Sequence, residues 1–190
     1  MSILDGIKLR RSYYKINKEL SVSEEKVEEI LKTAIAYVPD SYNAQAQRAV
    51  LVMGEKQDEL WDKIYDTFNG KVDREKIDSF KAGAGTILFF INRGTISCLQ
   101  EKFPGYADNF NKWAYQAIGM LEYTTWVALR KEGIGASLQH YNPVIDDAVR
   151  EIFDLDSEWE LDAQMPFGGI LEEPDKKDKI PVEKRYCVFK

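Results

Sequence analysis

The sequence has 190 residues, a formal net charge of −6 and 44% hydrophobic residues. At roughly 150 residues per domain, this length predicts a single domain spanning residues 1–190. The apolar content is high enough for a packed core, which excludes a mainly disordered chain. The negative net charge argues against nucleic-acid binding as the main function, because proteins of that class usually carry a basic face.

No run of apolar residues is long enough to span a bilayer, which takes roughly 20 residues. The first residues, MSILDGIKLRRSYY, place the basic pair after the apolar stretch, the reverse of the order in a secretory signal. We therefore expect a soluble, cytoplasmic protein that does not bind a membrane. Cys98 and Cys187 lack CxxC or Cys/His spacing, so we expect small core side chains there and no metal site.

The first half of the chain predicts two helices and two strands. Ser21-Val-Ser-Glu24 fits a capping box, and apolar residues then recur at helical spacing from Val27 until Pro39 stops the helix. Residues 48–53 and 85–91 are short, β-branched or aromatic runs that predict buried strands. Residues 57–68 between them predict a helix.

The second half begins with a long segment, residues 106–131, that is apolar on nearly every side. A helix of that kind lies in a core or in a subunit interface. We expect a third strand at 136–139, a helix at 143–153 opened by Pro143, strands at 161–169 and 186–189, and a solvated connection at 172–178. Because helices and strands do not alternate strictly, the sequence predicts the α+β class.

Two familiar motifs are absent or incomplete. Gly83-Ala-Gly85 has Leu88 at the third glycine position of a dinucleotide-binding loop, and it precedes a strand where that loop would follow one. A Rossmann site is therefore rejected. His140 is the only histidine, and a lone histidine is more often structural than catalytic.

Three polar clusters remain as candidate binding groups. Arg10-Arg11-Ser12 supplies two cations and a hydroxyl, which fit either a phosphate site or a solvated basic turn. The loop from Ser41 to Arg48 carries amides that either read the edge of a planar heterocycle or serve ordinary turn chemistry. Residues 177–185 add further cations, or are simply a charged run.

The ordered set of motifs resembles the FMN-dependent nitroreductase superfamily, and within it the short branch of fatty-acid-repression-mutant and copper-induced nitroreductase proteins. The resemblance covers nearly the whole chain. It is carried by the segments RRSYYKI, PDSYNAQAQR, GAGTILFF, GASLQHYNP and MPFGG, by the long apolar helix and by the proline-flanked basic tail.

The resemblance implies a mostly antiparallel sheet flanked by helices, in a homodimer with a C-terminal extension that has FMN at the subunit interface. It implies specific contacts to the cofactor. The phosphate and ribityl chain would be held by Arg10, Arg11 and Ser12 together with Lys177, Lys179 and, less directly, Arg185. The isoalloxazine edge would be read by Ser41, Asn43 and Gln45, and the reactive ring nitrogen would face Leu138, Gln139, His140 and Tyr141, largely through their backbone.

The implied activity is hydride transfer from NADH or NADPH to nitroaromatics or quinones by a ping-pong mechanism, with the flavin carrying the chemistry. Two departures bear on substrate preference: Ala46-Gln47 replaces the common Pro-Trp, and the helical insertion of larger members is missing. One alternative is a flavin-binding stress-response or lipid-signalling regulator with incidental reductase activity. Another is a different flavin reaction, such as reductive dehalogenation or azo reduction.

Overall fold

The computed structural model describes residues 2–190, in which seven α-helices and five β-strands are defined. The helices are α1 (Ile3–Leu9), α2 (Glu24–Tyr37), α3 (Glu55–Thr67), α4 (Arg74–Lys81), α5 (Arg93–Lys102), α6 (Ala107–Lys131) and α7 (Asp146–Phe153). The strands are β1 (Ile16–Asn17), β2 (Gln47–Met53), β3 (Gly85–Asn92), β4 (Gly135–Ala136) and β5 (Trp159–Ile170). The predicted α+β class is confirmed.

The five strands form one sheet in the order β1-β5-β3-β2, and β4 also pairs with β5. All these strand pairs are antiparallel, as predicted. The register between β3 and β5 shifts between Phe89, which faces Ala163, and Phe90, which faces Leu161. Asp162 is therefore the extra residue of a β-bulge in β5.

Helices cover both faces of the sheet, which explains why β3 is an uninterrupted apolar run. On one face, Ile87 and Phe89 pack with Ile118 and Leu121 of α6 and with residues of α2. On the other face, Leu88 and Phe90 of the same strand pack with residues of α3, α4 and α7, among them Trp61. The long helix α6 is buried against the sheet on one side and exposes Tyr115, Met120 and Tyr123 on the other.

The predicted strands at 48–53, 85–91 and 161–169 and the predicted helices at 57–68 and 106–131 are confirmed to within two residues. The predicted strand at 136–139 is shorter, because β4 ends at Ala136 and only Gln139 pairs again with β5. The helix at 143–153 begins at Asp146, so Pro143 lies in the preceding turn.

Three predictions were wrong. Residues 186–189 form no strand, because this exposed tail pairs with no strand edge within residues 2–190. The cap of α2 is Ser23, whose hydroxyl accepts from the Lys26 N–H, while the Ser21 hydroxyl donates to the Glu132 carbonyl. Cys98 and Cys187 are both exposed free thiols, since neither side chain packs in the core.

Candidate functional site

Arg10 directly follows α1 and lies against α6. Its guanidinium carbon is 4.4 Å from the centre of the Trp126 ring and 5.9 Å from that of Tyr123. The Arg10 Nε is buried and has no hydrogen-bond partner within residues 2–190. A cation held on an aromatic face with a free N–H group is suited to receive an anion.

Arg11 and Ser12 serve a different role in the structure. An Arg11 guanidinium nitrogen donates to the backbone carbonyl of Asp175, so this side chain holds the C-terminal segment. Ser12 forms a parallel bridge with Ala136 of β4, and the next residue, Tyr13, donates its N–H to the Ala136 carbonyl at 3.0 Å. The segment from Arg10 to Tyr13 therefore runs beside β4.

Side chains near residues 13–15 hold the C-terminal segment in place. Lys15 forms an ion pair with Glu172, and the Tyr13 hydroxyl donates to Glu173 at 3.0 Å. Arg130 of α6 lies 3.8 Å from the same Glu173 carboxylate. These contacts bring Lys177 beside the Arg10 segment.

The two segments enclose a cavity of about 380 Å³, here called the basic cavity. Its lining residues are Arg10, Arg11, Ser12, Tyr14, Lys15, Glu172, Glu173, Pro174, Asp175 and Lys177. Of the predicted phosphate-binding residues it thus unites Arg10, Arg11, Ser12 and Lys177. Lys179 and Arg185 do not line it and lie exposed further along the chain.

Two of the three carboxylates that line the basic cavity, Glu172 and Glu173, are engaged by neighbouring side chains. The hydrogen bond to Glu172, together with its charge, raises the pKa of Lys15. Burial raises the pKa of Tyr13, and the hydrogen bond to Glu173 adds to this, so Tyr13 stays a neutral donor. Because Glu172 and Glu173 are engaged in this way, Arg10 and Lys177 remain to attract an anionic group.

The loop after α2 carries the predicted amide cluster in an unusual backbone conformation. Three non-glycine residues have positive φ angles: Tyr42 at 61°, Asn43 at 49° and Gln45 at 50°. The ends of the loop are fixed, because Asp40 accepts from the Ala46 N–H at 3.3 Å and Arg48 donates to the Gln45 carbonyl at 2.7 Å. Such strain persists only where the surroundings impose it, often at functional sites.

Asn43 and Gln45 line a second cavity of about 500 Å³ together with residues 35–40, Gln47 and Arg48. This second cavity shares no lining residue with the basic cavity. Ser41 lines a small separate pocket that includes Trp113. Within one chain, therefore, the amide cluster and the cation cluster do not line a common cavity.

An aromatic cluster next to this loop was missed by the sequence analysis. The Tyr42 ring stacks on Trp113 with centres 5.7 Å apart and also lies 4.9 Å from Phe103 and 5.3 Å from Phe110. The available signal was the recurrence of aromatic residues at positions 103, 106, 110 and 113, three or four residues apart. The cluster offers flat apolar surface beside the loop amides.

The predicted segment 138–141 lies beside β5. The backbone N–H and carbonyl of Gln139 pair with Gln164 at 2.7 and 2.9 Å, and the Tyr141 N–H donates to the Gln164 side chain at 2.9 Å. The Tyr141 ring turns into the core, 5.5 Å from Phe68, and burial raises the pKa of its hydroxyl. Leu138 is partly buried, and His140 is exposed.

No helix within residues 2–190 is long and apolar enough to cross a membrane. No group of three or more histidine, cysteine or acidic side chains in the same range is arranged to hold a metal ion.

Comparisons with known proteins agree with this fold. The chain is 29% identical over 180 residues to nitroreductase FRM2 of Saccharomyces cerevisiae, which covers 93% of this chain and 92% of that protein. It is 37% identical to nitroreductase CinD of Lactococcus lactis in complex with chloramphenicol, with a TM-score of 0.95 and both chains covered completely. A nitroreductase of Exiguobacterium sibiricum solved with FMN shares the fold at 14% identity and a TM-score of 0.76, over 100% of this chain and 98% of that one.

A model of the nitroreductase family matches residues 7–169, which include β1 to β4, all seven helices in part or whole, and nearly all of β5. The matched range contains Arg10 and the loop amides, and it stops before the C-terminal segment that carries Lys177. The chain belongs to the nitroreductase family and is an oxidoreductase.

Proposed function

We propose that the basic cavity binds the phosphate of FMN. The observation that carries the proposal is Arg10, whose buried Nε has no hydrogen-bond partner within residues 2–190 while its guanidinium lies on Trp126. A phosphate oxygen would satisfy this orphaned donor with a strong charge-assisted hydrogen bond. Ser12 and Lys177 would supply a hydroxyl and a second cation from the same cavity.

The segment 138–141 would face the flavin ring through its backbone. Successive residues of an antiparallel pair point their N–H groups to opposite sides. Because Gln139 pairs with Gln164, the N–H groups of Leu138 and His140 point away from β5. They are our candidates to donate to the ring nitrogen and to stabilise reduced flavin.

The remaining ring contacts would come from a second copy of the chain. Asn43 and Gln45 line a cavity separate from the basic cavity, so one chain does not assemble the whole site. The surface between α2 and α6 is a largely apolar groove of about 540 Å³ that exposes Tyr37, Met120 and Tyr123. Residues 180–189 expose further apolar side chains, including Phe189. We infer that a homodimer buries these surfaces and places the loop amides of one subunit at the flavin of the other.

When bound, FMN would supply hydride transfer from NADH or NADPH to nitroaromatic or quinone acceptors. The complex of the Lactococcus lactis relative with chloramphenicol, a nitroaromatic compound, supports this substrate class. The aromatic cluster around Tyr42 would provide stacking surface for a planar substrate. We propose that donor and acceptor use the same face in turn, which gives ping-pong kinetics, and that the protein works in the cytoplasm.

The absorption spectrum of the purified protein, followed by anaerobic addition of NADH, tests the cofactor assignment directly. We expect flavin bands that bleach with NADH or NADPH and return when 4-nitrophenol or a quinone is added. A protein that binds no FMN from solution would contradict the proposal. Flavin that bleaches without sustained turnover of any acceptor would instead favour the regulatory alternative.

Two further measurements test the mechanism and the assembly. Double-reciprocal plots of initial rate at several acceptor concentrations should be parallel. Intersecting lines would contradict the proposal that donor and acceptor use the same face of the flavin in turn. Sedimentation at decreasing protein concentration should show a dimer that keeps its flavin. A folded, flavin-loaded monomer would contradict the two-chain site.

A further inference from the structure

The indole side chain of Trp126 in α6 makes two different contacts, one through the face of its ring and one through its N–H group. The face of its ring carries the guanidinium of Arg10, 4.4 Å from the ring centre. The edge of the ring donates from Nε1 to the carbonyl of Ala136 in β4, at 3.1 Å. One residue therefore touches both the candidate phosphate ligand and the strand that leads into segment 138–141.

The Ala136 carbonyl is a junction in this part of the fold. It accepts from the Tyr13 N–H at 3.0 Å as well as from Trp126, and Ser12 bridges to the same residue. Moving the indole would thus disturb the segment after Arg10 and the strand before Leu138 together.

A free arginine side chain has several rotatable bonds, and its ordering costs entropy when an anion binds. Stacking on an aromatic face before the anion arrives removes part of that cost, which is the general effect of preorganisation. The stacking also leaves the in-plane N–H groups of Arg10 free to donate, because the ring takes only the flat face of the guanidinium.

We propose that Trp126 is a positioning residue for the cofactor, fixing Arg10 through its ring face and β4 through its indole N–H. The inference rests on the proposed assignment of the basic cavity to the FMN phosphate. It predicts that the two contacts are separable: the face controls recognition of the phosphate, and the edge controls the placement of segment 138–141.

A double-mutant cycle tests whether Trp126 acts through Arg10. FMN is titrated into apoprotein of the parent, Trp126→Leu, Arg10→Ala and the double variant. Loss of a cation–π contact of ordinary strength corresponds to about 3- to 30-fold in affinity, which is the weakening expected for Trp126→Leu. In the Arg10→Ala background the same substitution should weaken FMN binding less, by only the factor that loss of the indole N–H costs in Trp126→Phe. Equal effects in both backgrounds would overturn the proposal.

Riboflavin, which lacks the phosphate, separates positioning from general loosening of the fold. Trp126→Leu should weaken FMN binding more than riboflavin binding. Trp126→Phe keeps an aromatic face and loses the indole N–H, so it should weaken both ligands by the same factor. If Trp126→Leu weakens the two ligands equally, Trp126 contributes only to packing and the proposal fails.

Val127→Ala is the matched control, because Val127 is buried on the same helix and lies against Gly6 of α1. It should lower the melting temperature of apoprotein without a difference between FMN and riboflavin. Should Trp126→Leu fail to fold, Trp126→Phe decides: it should weaken FMN and riboflavin binding by the same factor with and without Arg10, and a loss confined to FMN, or no loss at all, would overturn the proposal. A parent protein that binds no FMN would instead refute the proposed function itself.

Discussion

The buried carboxyl group of Glu122 on α6 lies beside that of Asp162, the residue that the bulge adds to β5. Glu122 is only 6% exposed, and its Oε1 has no partner within residues 2–190. Burial and the neighbouring carboxyl group together raise the pKa of Glu122 to about 9. Glu122 therefore carries a proton at neutral pH, where the long helix meets the sheet.

The protonated carboxyl group of Glu122 predicts that the free energy of unfolding depends on pH. The folded pKa of Glu122 lies above its ordinary value of 4.5. Its contribution to the free energy of unfolding is therefore complete below pH 4.5 and is lost as the pH rises towards 9. The slope is at most about tenfold in the unfolding constant per pH unit for one proton. Glu122→Gln, which keeps a neutral side chain, should flatten the curve measured by denaturant unfolding between pH 5 and 9. Glu101→Gln, at an exposed position, should leave it unchanged. If the curves of unfolding free energy against pH are parallel for the parent and Glu122→Gln, Glu122 does not carry this proton.

Arg10→Ala should weaken FMN binding strongly. A hydrogen bond that involves a charged group contributes about 1.5–3 kcal/mol, which corresponds to about 10- to 150-fold in affinity. Lys177→Ala should have a milder effect, because its ammonium group is exposed. Arg11→Ala is the comparison and should matter less than Arg10→Ala, since Arg11 donates to the Asp175 carbonyl. Flavin titration of apoprotein measures all three, and an Arg10 variant of unchanged affinity would remove the phosphate assignment.

A test of the loop amides needs a substitution that fits the positive φ angles of this loop. Asn43 has a φ of 49°, a region in which alanine is strained by roughly 1–2 kcal/mol and glycine is not. Asn43→Gly should therefore keep the apoprotein melting temperature close to that of the parent and still alter turnover or the flavin potential. Asn43→Ala should lower both activity and stability. An Asn43→Gly variant with normal turnover and potential would show that the side chain serves only the turn.

His140 should have no obligatory role in proton transfer. Its side chain is exposed, and only its backbone is placed by the pairing of Gln139 with Gln164. His140→Ala should keep most of the rate of flavin reduction by NADH or NADPH in stopped-flow measurements. A general acid contributes roughly 100- to 10,000-fold, so a loss of that size would make the lone histidine catalytic.

The sequence predicted the elements whose apolar residues recur regularly over many positions, such as α6 and β3. The helices α1, α4 and α5 were missed because each buries at most two side chains. Their capping signals were nevertheless present: Ser2 with Asp5, Asp73 accepting from Glu75, and Asn92 accepting from Thr95. The tail at 186–189 shows the opposite error, since a short apolar run forms a strand only where a sheet edge receives it.

The sequence predicted which types of residue form the candidate site. It did not predict the directions in which their side chains point. Arg10, Ser12 and Lys177 do meet in one cavity, but the contacts from residues 11–15 that bring Lys177 there join residues 157 or more positions apart. Arg48 looked like a binding group, and the structure turns its guanidinium to backbone carbonyls of its own loop. Which way a side chain points depends on tertiary neighbours, which spacing along one chain does not specify.

The contacts that join residues 11–15 to residues 172–175 have a consequence for biosynthesis. All five strands end by Ile170, so the sheet is fully encoded before the segment that completes the basic cavity leaves the ribosome. Domains fold as their chain emerges, at about 5–20 residues per second. Under the proposed function, capture of FMN through the basic cavity must therefore follow the emergence of residues 172–177 from the ribosome, and a released chain truncated after residue 170 would keep all five strands and lack the completed cavity.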